Sequence, residues 1–444
     1  MEPDLPLNPE DPKEPNQGRK THGFIRRKWM LALQSFRYRD FRWLWLGSFA
    51  SFTAVSMQQI TRGWLVLKLT NDSPFALSLV MMSFAFPLTF ASLIGGALAD
   101  RLSKRWMIIL TQSGNTVMTL ILATLDITGL IRFWHLIVIG AINGTLAAFN
   151  MPSRQSIIAD IVPEKDLMNA VSLNSSAMNL TRVIGPALAG LLIIYLDTAG
   201  VFYLIATVYF LSIILTALIQ EGRDVDHQTN KSVGADIMEG FRYAKGNPII
   251  LGLLILSFVP ALFGFPYIAL LPAWAREALN VQSDGLGLLM MTMGIGSLAG
   301  TLMLASLRQL RRRRVFLTVN GLAWGLALIL FSRTHSYTTA IPGLFFLGLA
   351  NAVFMALNMT LMQSYASPEM RGRIISMHMM TFGIMPLSAV PFGAIAERIG
   401  TADSLQIGGS MLCLFVIIFF FSFPKFRRMD PSVAIANREM PGSL

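Results

Sequence analysis

Residues 139–156, IGAINGTLAAFNMPSRQS, return 208 positions later as LGLANAVFMALNMTLMQS at 347–364. Seven positions are identical: Gly140/Gly348, Asn143/Asn351, Ala148/Ala356, Asn150/Asn358, Met151/Met359, Gln155/Gln363 and Ser156/Ser364. Shared apolar composition alone would give fewer matches, so the chain reads as two copies of one unit. Each copy lies within an apolar run and carries two amides in it. Polar groups inside such runs are costly unless they face protein or water.

Working outward, the copies occupy the fourth and tenth of twelve apolar runs. These lie at approximately 43–67, 74–99, 106–126, 133–151, 167–196, 200–220, 248–273, 285–307, 315–332, 338–363, 372–396 and 403–424. A helix needs about 20 apolar residues to cross the hydrocarbon layer, and the longer runs imply tilt. Of 444 residues, 53% are hydrophobic and 14% charged, against about 25% charged in soluble domains. The spacing predicts an all-α integral membrane protein of twelve transmembrane helices, arranged as two pseudo-symmetric six-helix bundles. It divides into a cytoplasmic tail, 1–42, acidic and proline-rich at first and then basic; a bundle, 43–220; a polar cytoplasmic linker, 221–247; a second bundle, 248–424; and a cytoplasmic tail, 425–444.

The net charge of +11 could suggest nucleic acid, but its placement argues for a membrane. With the N-terminus inside, 29 of the 36 Lys and Arg fall in inside segments and five in outside loops, with Arg62 and Arg182 within helices. That asymmetry is the positive-inside signature, and it predicts both termini cytoplasmic and no nucleic-acid partner. The one cysteine, Cys413, excludes a disulfide and a Cys-based metal cluster. The five histidines are scattered without paired-ligand spacing, and no GxxxxGK[ST] phosphate loop occurs. No metal, cofactor or catalytic constellation is expected.

The segment after the second run reads Gly95-Gly96-Ala97-Leu98-Ala99-Asp100-Arg101-Leu102-Ser103-Lys104-Arg105. It resembles motif A of the major facilitator superfamily. Arg182-Val183-Ile184-Gly185-Pro186 resembles the Gly-Pro motif of that superfamily's antiporters. Asn150-Met151-Pro152-Ser153-Arg154-Gln155 and Pro368-Glu369-Met370-Arg371-Gly372-Arg373 look like the branch containing macrolide-efflux and enterobactin-export proteins. Two departures stand out. Ser103 replaces a glycine of the motif, and the matching loop of the second half, Arg308 to Arg314, has no acidic partner. The resemblance implies alternating access between two bundles, with Gly96, Asp100, Arg101, Lys104 and Arg105, together with Gly185 and Pro186, as gating residues. In the family, Asp100 would meet the positive end of the eleventh helix; a solvated basic loop that only sets topology is the alternative.

The family's central cavity is lined by helices 1, 4, 7 and 10. That implies a substrate cavity built from Gln58, Gln59, Arg62, Asn143, Asn150, Arg182, Phe265, Asn351, Met355 and Asn358. Asn143, Asn150 and Arg154 recur at i, i+7 and i+11, one helix face, and the tenth run repeats this with Asn351 and Asn358. Two alternatives stay open: the asparagines tie helices together, and Arg62 snorkels to the membrane surface. Prolines 260, 266 and 272 predict a kink in the seventh helix beside the cavity. His378 is a candidate proton-coupling group, because an unperturbed pKa of about 6.5 suits that task; packing is its alternative role.

These readings converge on a secondary active transporter of the cell's inner, plasma membrane, acting as a monomer. Its expected cargo is an amphipathic organic small molecule exported by alternating access, a drug, macrolide-like compound or siderophore, with proton coupling an open question. The cavity candidates suit uncharged or weakly anionic ligands. A lipid or lysolipid flippase on the same scaffold stays open as an alternative; a polytopic enzyme would show clustered catalytic groups, and a channel a ring of like charges.

Overall fold

The computed structural model describes residues 33–99, 103–220, 233–307, 313–367 and 370–423. A short 3-10 turn, Gln34–Arg37, leads into α1 (Arg39–Leu69), α2 (Pro74–Ala99), α3 (Lys104–Ile127) and α4 (Phe133–Ile161). The next helix, Glu164–Ala217, has 54 residues, about 80 Å if straight and far more than one membrane crossing. Asp197, at φ 54° and ψ 179°, breaks it, so α5 precedes Asp197 and α6 follows. A connecting helix, Val233–Gly246, precedes α7 (Pro248–Leu279), α8 (Ser283–Ser306), α9 (Arg313–Ser332), α10 (Tyr337–Tyr365), α11 (Arg371–Ile399) and α12 (Thr401–Ser422).

By length and composition, nine described helices can cross a membrane, the 54-residue helix counted once. Dividing that helix, and adding α1 and α11, gives twelve rods. α1 is long enough but less apolar, with Gln58, Gln59 and Arg62 inside it, and α11 spans 29 residues.

On α3 burial is inverted relative to a helix of a protein in water. Thr111, Gln112, Asn115, Thr116 and Thr119 are buried, whereas Leu110, Val117, Leu120 and Ile121 are exposed. The stripe Thr111-Asn115-Thr119 repeats every four residues, so one helix face carries polar groups inward. The apolar residues outside are what a hydrocarbon solvent requires. Threonines in the stripe turn their hydroxyls back on the preceding turn, Thr111 Oγ1 to Met107 O and Thr119 Oγ1 to Asn115 O. Their hydrogen bonds are thereby satisfied without water.

The repeat has a structural counterpart. A Cβ at Gly140 would lie 2.3 Å from Ser83 Oγ on α2, and one at Gly348 would lie 2.1 Å from Met293 O on α8. The same glycine therefore lets the fourth helix of each half press against the second. Between the halves, α5 crosses α8, where a Cβ at Gly190 would stand 2.4 Å from Ser283 O. Polar bridges between the halves lie at the end opposite the chain termini. Arg276 of α7 pairs with Asp72 at 3.0 Å, and Glu397 of α11 accepts from Ser73 Oγ and the Phe75 amide.

α7 is not a regular rod. Pro248–Val259 passes through one π turn, Pro260–Gly264, before resuming at Pro266. Two prolines, Pro260 and Pro266, remove donors from the ladder, and the Phe265 amide reaches back to Pro260 O at 2.9 Å. This distortion sets Phe265 against the Trp324 ring, with centroids 5.2 Å apart.

Candidate functional site

A cavity of about 350 Å³ lies where the two halves meet, within the ~300–1,000 Å³ usual for small-molecule sites. Its two walls differ in chemistry. The first half supplies Gln58, Gln59, Arg62, Asn115, Asn143, Asn150, Arg182 and Tyr209; the second supplies Phe265, Pro272, Met290 and Met385.

The polar wall is a chain of hydrogen bonds. Arg62 Nη2 donates to Asn143 Oδ1 at 2.9 Å, and Asn143 Nδ2 donates to Asn115 Oδ1 at 2.6 Å. Beside it, Gln58 Nε2 donates to Thr119 Oγ1 at 3.1 Å and Gln58 Oε1 accepts from the Tyr209 hydroxyl at 3.1 Å. A second layer lies one helical turn from Asn150. Arg154, 2% exposed, donates to Asn150 Oδ1, Ser48 Oγ and Ser212 Oγ, while Asn150 Nδ2 donates to Thr111 Oγ1. Arg154 thus ties α4 to α1 and α6 through neutral oxygens.

Of the ten residues expected in the cavity, Gln58, Gln59, Arg62, Asn143, Asn150, Arg182 and Phe265 line it. Arg62 is 8% exposed and bonded inward to α4. Asn351, Met355 and Asn358 do not line it, and α10 contributes no lining residue. Asn358 is fully buried and turned to α7, donating to Ser257 Oγ at 2.6 Å and Leu253 O at 3.3 Å. Asn351 stands near Tyr267 of α7, whose hydroxyl donates to Met293 Sδ at 3.3 Å, and Met355 packs against the apolar core. The reason is visible within the repeat. Met362 stands where the first copy has Arg154, so Asn358 has no cation beside it and finds its partners on α7. His378 also lies away from the cavity, its Nδ1 3.0 Å from Ser257 Oγ.

The motif-A residues divide. Asp100 and Arg101 lie outside the described residues, and Gly96 falls in the last turns of α2. Lys104 Nζ holds both oxygens of Asp160, at 2.7 and 2.9 Å, and Arg105 Nη2 donates to Ala217 O at 2.7 Å. Both side chains therefore staple α3 to its own half, to α4 and α6, rather than reaching the other half. Gly185 and Pro186 stand at the crossing of α5 with its neighbours. A Cβ at Gly185 would meet Ser56 Cβ on α1 at 2.4 Å, and Pro186 O faces Gly287 of α8.

Asn115 and Tyr209 are cavity residues that the pattern analysis missed. Asn115 carried a signal, the four-residue polar stripe of α3; Tyr209, amid the apolar α6, carried none. Among the described residues no three His, Cys, Asp or Glu come together as a metal site.

Comparison with known proteins agrees with this architecture. A sequence model of the transmembrane secretion effector family matches residues 30–444. The staphyloferrin A transporter of Staphylococcus aureus (strain NCTC 8325 / PS 47) is 24% identical, over 85% of this chain and 95% of its own. The multidrug efflux pump Tap of Mycolicibacterium fortuitum is 25% identical, over 86% and 96%. Macrolide efflux protein A of Streptococcus pyogenes is 22% identical, over 84% and 94%. Among solved structures, a variant of the nucleoside transporter NupG superposes with a TM-score of 0.71 at 15% identity, covering 87% of this chain and all of that one.

Proposed function

The chain belongs to the transmembrane secretion effector family of major facilitator transporters, and from that premise we propose that it exports an amphipathic organic small molecule by alternating access. The observation that carries this is the cavity at the junction of the repeat-related halves, with an amide-rich wall facing an aromatic and thioether wall. Such a surface can hold a molecule with one polar end and one apolar end. The two rocking bodies are the groups 43–220 and 248–424, and Asp100, Arg101 and Gly96 gate the end that bears the chain termini.

On this reading the protein is a monomer in the bacterial plasma membrane with both termini in the cytoplasm. It acts as a carrier, its described cavity lining being amides, two arginines, aromatics and thioethers suited to holding a molecule. Export draws on the proton gradient, with His378 as the group that takes up the proton. The test is untargeted mass spectrometry of medium from pump-deficient bacteria with and without the protein. At least one organic compound should accumulate outside, and the enrichment should vanish with Arg62→Ala. Identical media would overturn the proposal.

A further inference from the structure

We propose that the cargo is an organic anion, whose acidic group is gripped by Arg62 and Arg182 while its apolar body rests on Phe265, Met290 and Met385. This rests on the transporter reading above and names its substrate class.

The argument begins with how charge is distributed. Towards the helix ends, six basic side chains have acidic partners: Arg37 with Asp166, Lys68 with Asp197, Lys104 with Asp160, Arg276 with Asp72, Arg333 with Asp403 and Arg373 with Glu239. Around the cavity the matching stops. Arg62 and Arg182 are lining residues, and among the described residues none that lines the cavity is acidic. Arg154, one layer behind, is held by neutral oxygens. Two guanidinium charges thus line the cavity and a third lies behind it, with no counter-charge among the described lining residues.

Arg62 is placed to receive one. It is 8% exposed, its Nε has no hydrogen-bond partner, and its Nη2 is anchored on Asn143, which is itself anchored on Asn115. Anchoring fixes the guanidinium plane, and a fixed fork suits the paired oxygens of a carboxylate or a sulfonate. The guanidinium lines the cavity, so an arriving anion supplies the counter-charge that the described lining lacks. The same charges repel a cation entering a site of low dielectric constant.

The full chain in lipid nanodiscs is titrated with three fluorescent probes that share one ring system: dansylglycine, an anion; dansylglycinamide, neutral; and dansylethylenediamine, a cation. Dansylglycine should bind at least about tenfold tighter than either other probe, the effect of a single good charge-assisted contact. Arg182→Gln and Arg62→Gln should each shrink that ratio towards one. Arg182 carries the argument if loss of the Arg62 bonds unfolds the other variant, and thermal unfolding of both reports which case holds. A wild-type ratio of one or less, or a ratio unmoved by both substitutions, overturns the anion class. Tight binding of the neutral or cationic probe alone, or binding of none of the three by folded protein, overturns the anion class and leaves the transporter reading to the export test.

Discussion

Arg62 of α1 and Asn143 of α4 are joined by a 2.9 Å hydrogen bond that faces the cavity. The bond does two jobs, since it links two helices of the first half and orients a cation that lines the cavity. Asn358, the repeat partner of Asn150, does only the first, because both its donors end on α7.

The two asparagines should therefore respond differently to substitution. Asn358→Ala should lower unfolding stability by about 1–2 kcal/mol for the lost buried hydrogen bonds, with dansylglycine affinity per folded molecule retained. Asn143→Ala should lose both stability and affinity, since it frees the Arg62 side chain as well. Parallel thermal unfolding and probe titration on purified protein measure this. A drop in affinity with Asn358→Ala would return that residue to the cavity.

How much of this was legible in the sequence depended on which force decides each feature. The helix runs and the division at the repeat follow from apolar length and from amides at helical spacing; the cavity set follows from the family resemblance, which puts helices 1, 4, 7 and 10 around a central space. The three misplaced residues, Asn351, Met355 and Asn358, all lie on α10. A repeat reproduces backbone position, as Gly140 and Gly348 do against α2 and α8, but not side-chain partners. Those depend on neighbours that diverged, Arg154 against Met362, and on the π turn in α7. Lys104, expected at the gate, stands here against Asp160 of its own half for a related reason. A motif gives the residue type, but whether a lysine meets its own half or the other is settled by where Asp160 stands.

Lys104→Gln tests that reassignment. The Lys104–Asp160 pair is mostly buried, 17% and 9% exposed at the side chains, so breaking it strands a carboxylate, a loss of up to about 3–5 kcal/mol for fully buried pairs. The unfolding midpoint should fall, while spin-label distances across the chain-terminal end stay as in the wild type. Longer distances with an unchanged midpoint would make Lys104 a gate after all.

The bridge of Arg276 to Asp72 predicts a conformational effect rather than a stability effect. Its side chains are 34% and 47% exposed, and such pairs contribute about 0–1 kcal/mol, enough to move a balanced two-state equilibrium several-fold. Arg276→Gln combined with Glu397→Gln should weaken closure at the end opposite the termini. Spin labels at 129 and 335, in turns of opposite halves, should then show a larger fraction of long distances. An unchanged distribution would show that helix packing alone holds that end.

Energy coupling turns on His378. Ser257 Oγ donates to Leu253 O at 3.0 Å and accepts from Asn358 Nδ2. His378 Nδ1 lies 3.0 Å from this hydroxyl, which places the imidazole in a polar junction where α11, α7 and α10 meet. Protonation there would charge a buried junction of three helices, which favours whichever packing lets the charge be solvated. In proteoliposomes with the exporting direction defined, an opposing proton gradient should accelerate dansylglycine movement in the wild type. His378→Gln, which keeps a donor for Ser257, should bind the probe and move it without that acceleration. Transport indifferent to the gradient in the wild type would dismiss proton coupling, and a response preserved in His378→Gln would assign the histidine to packing alone.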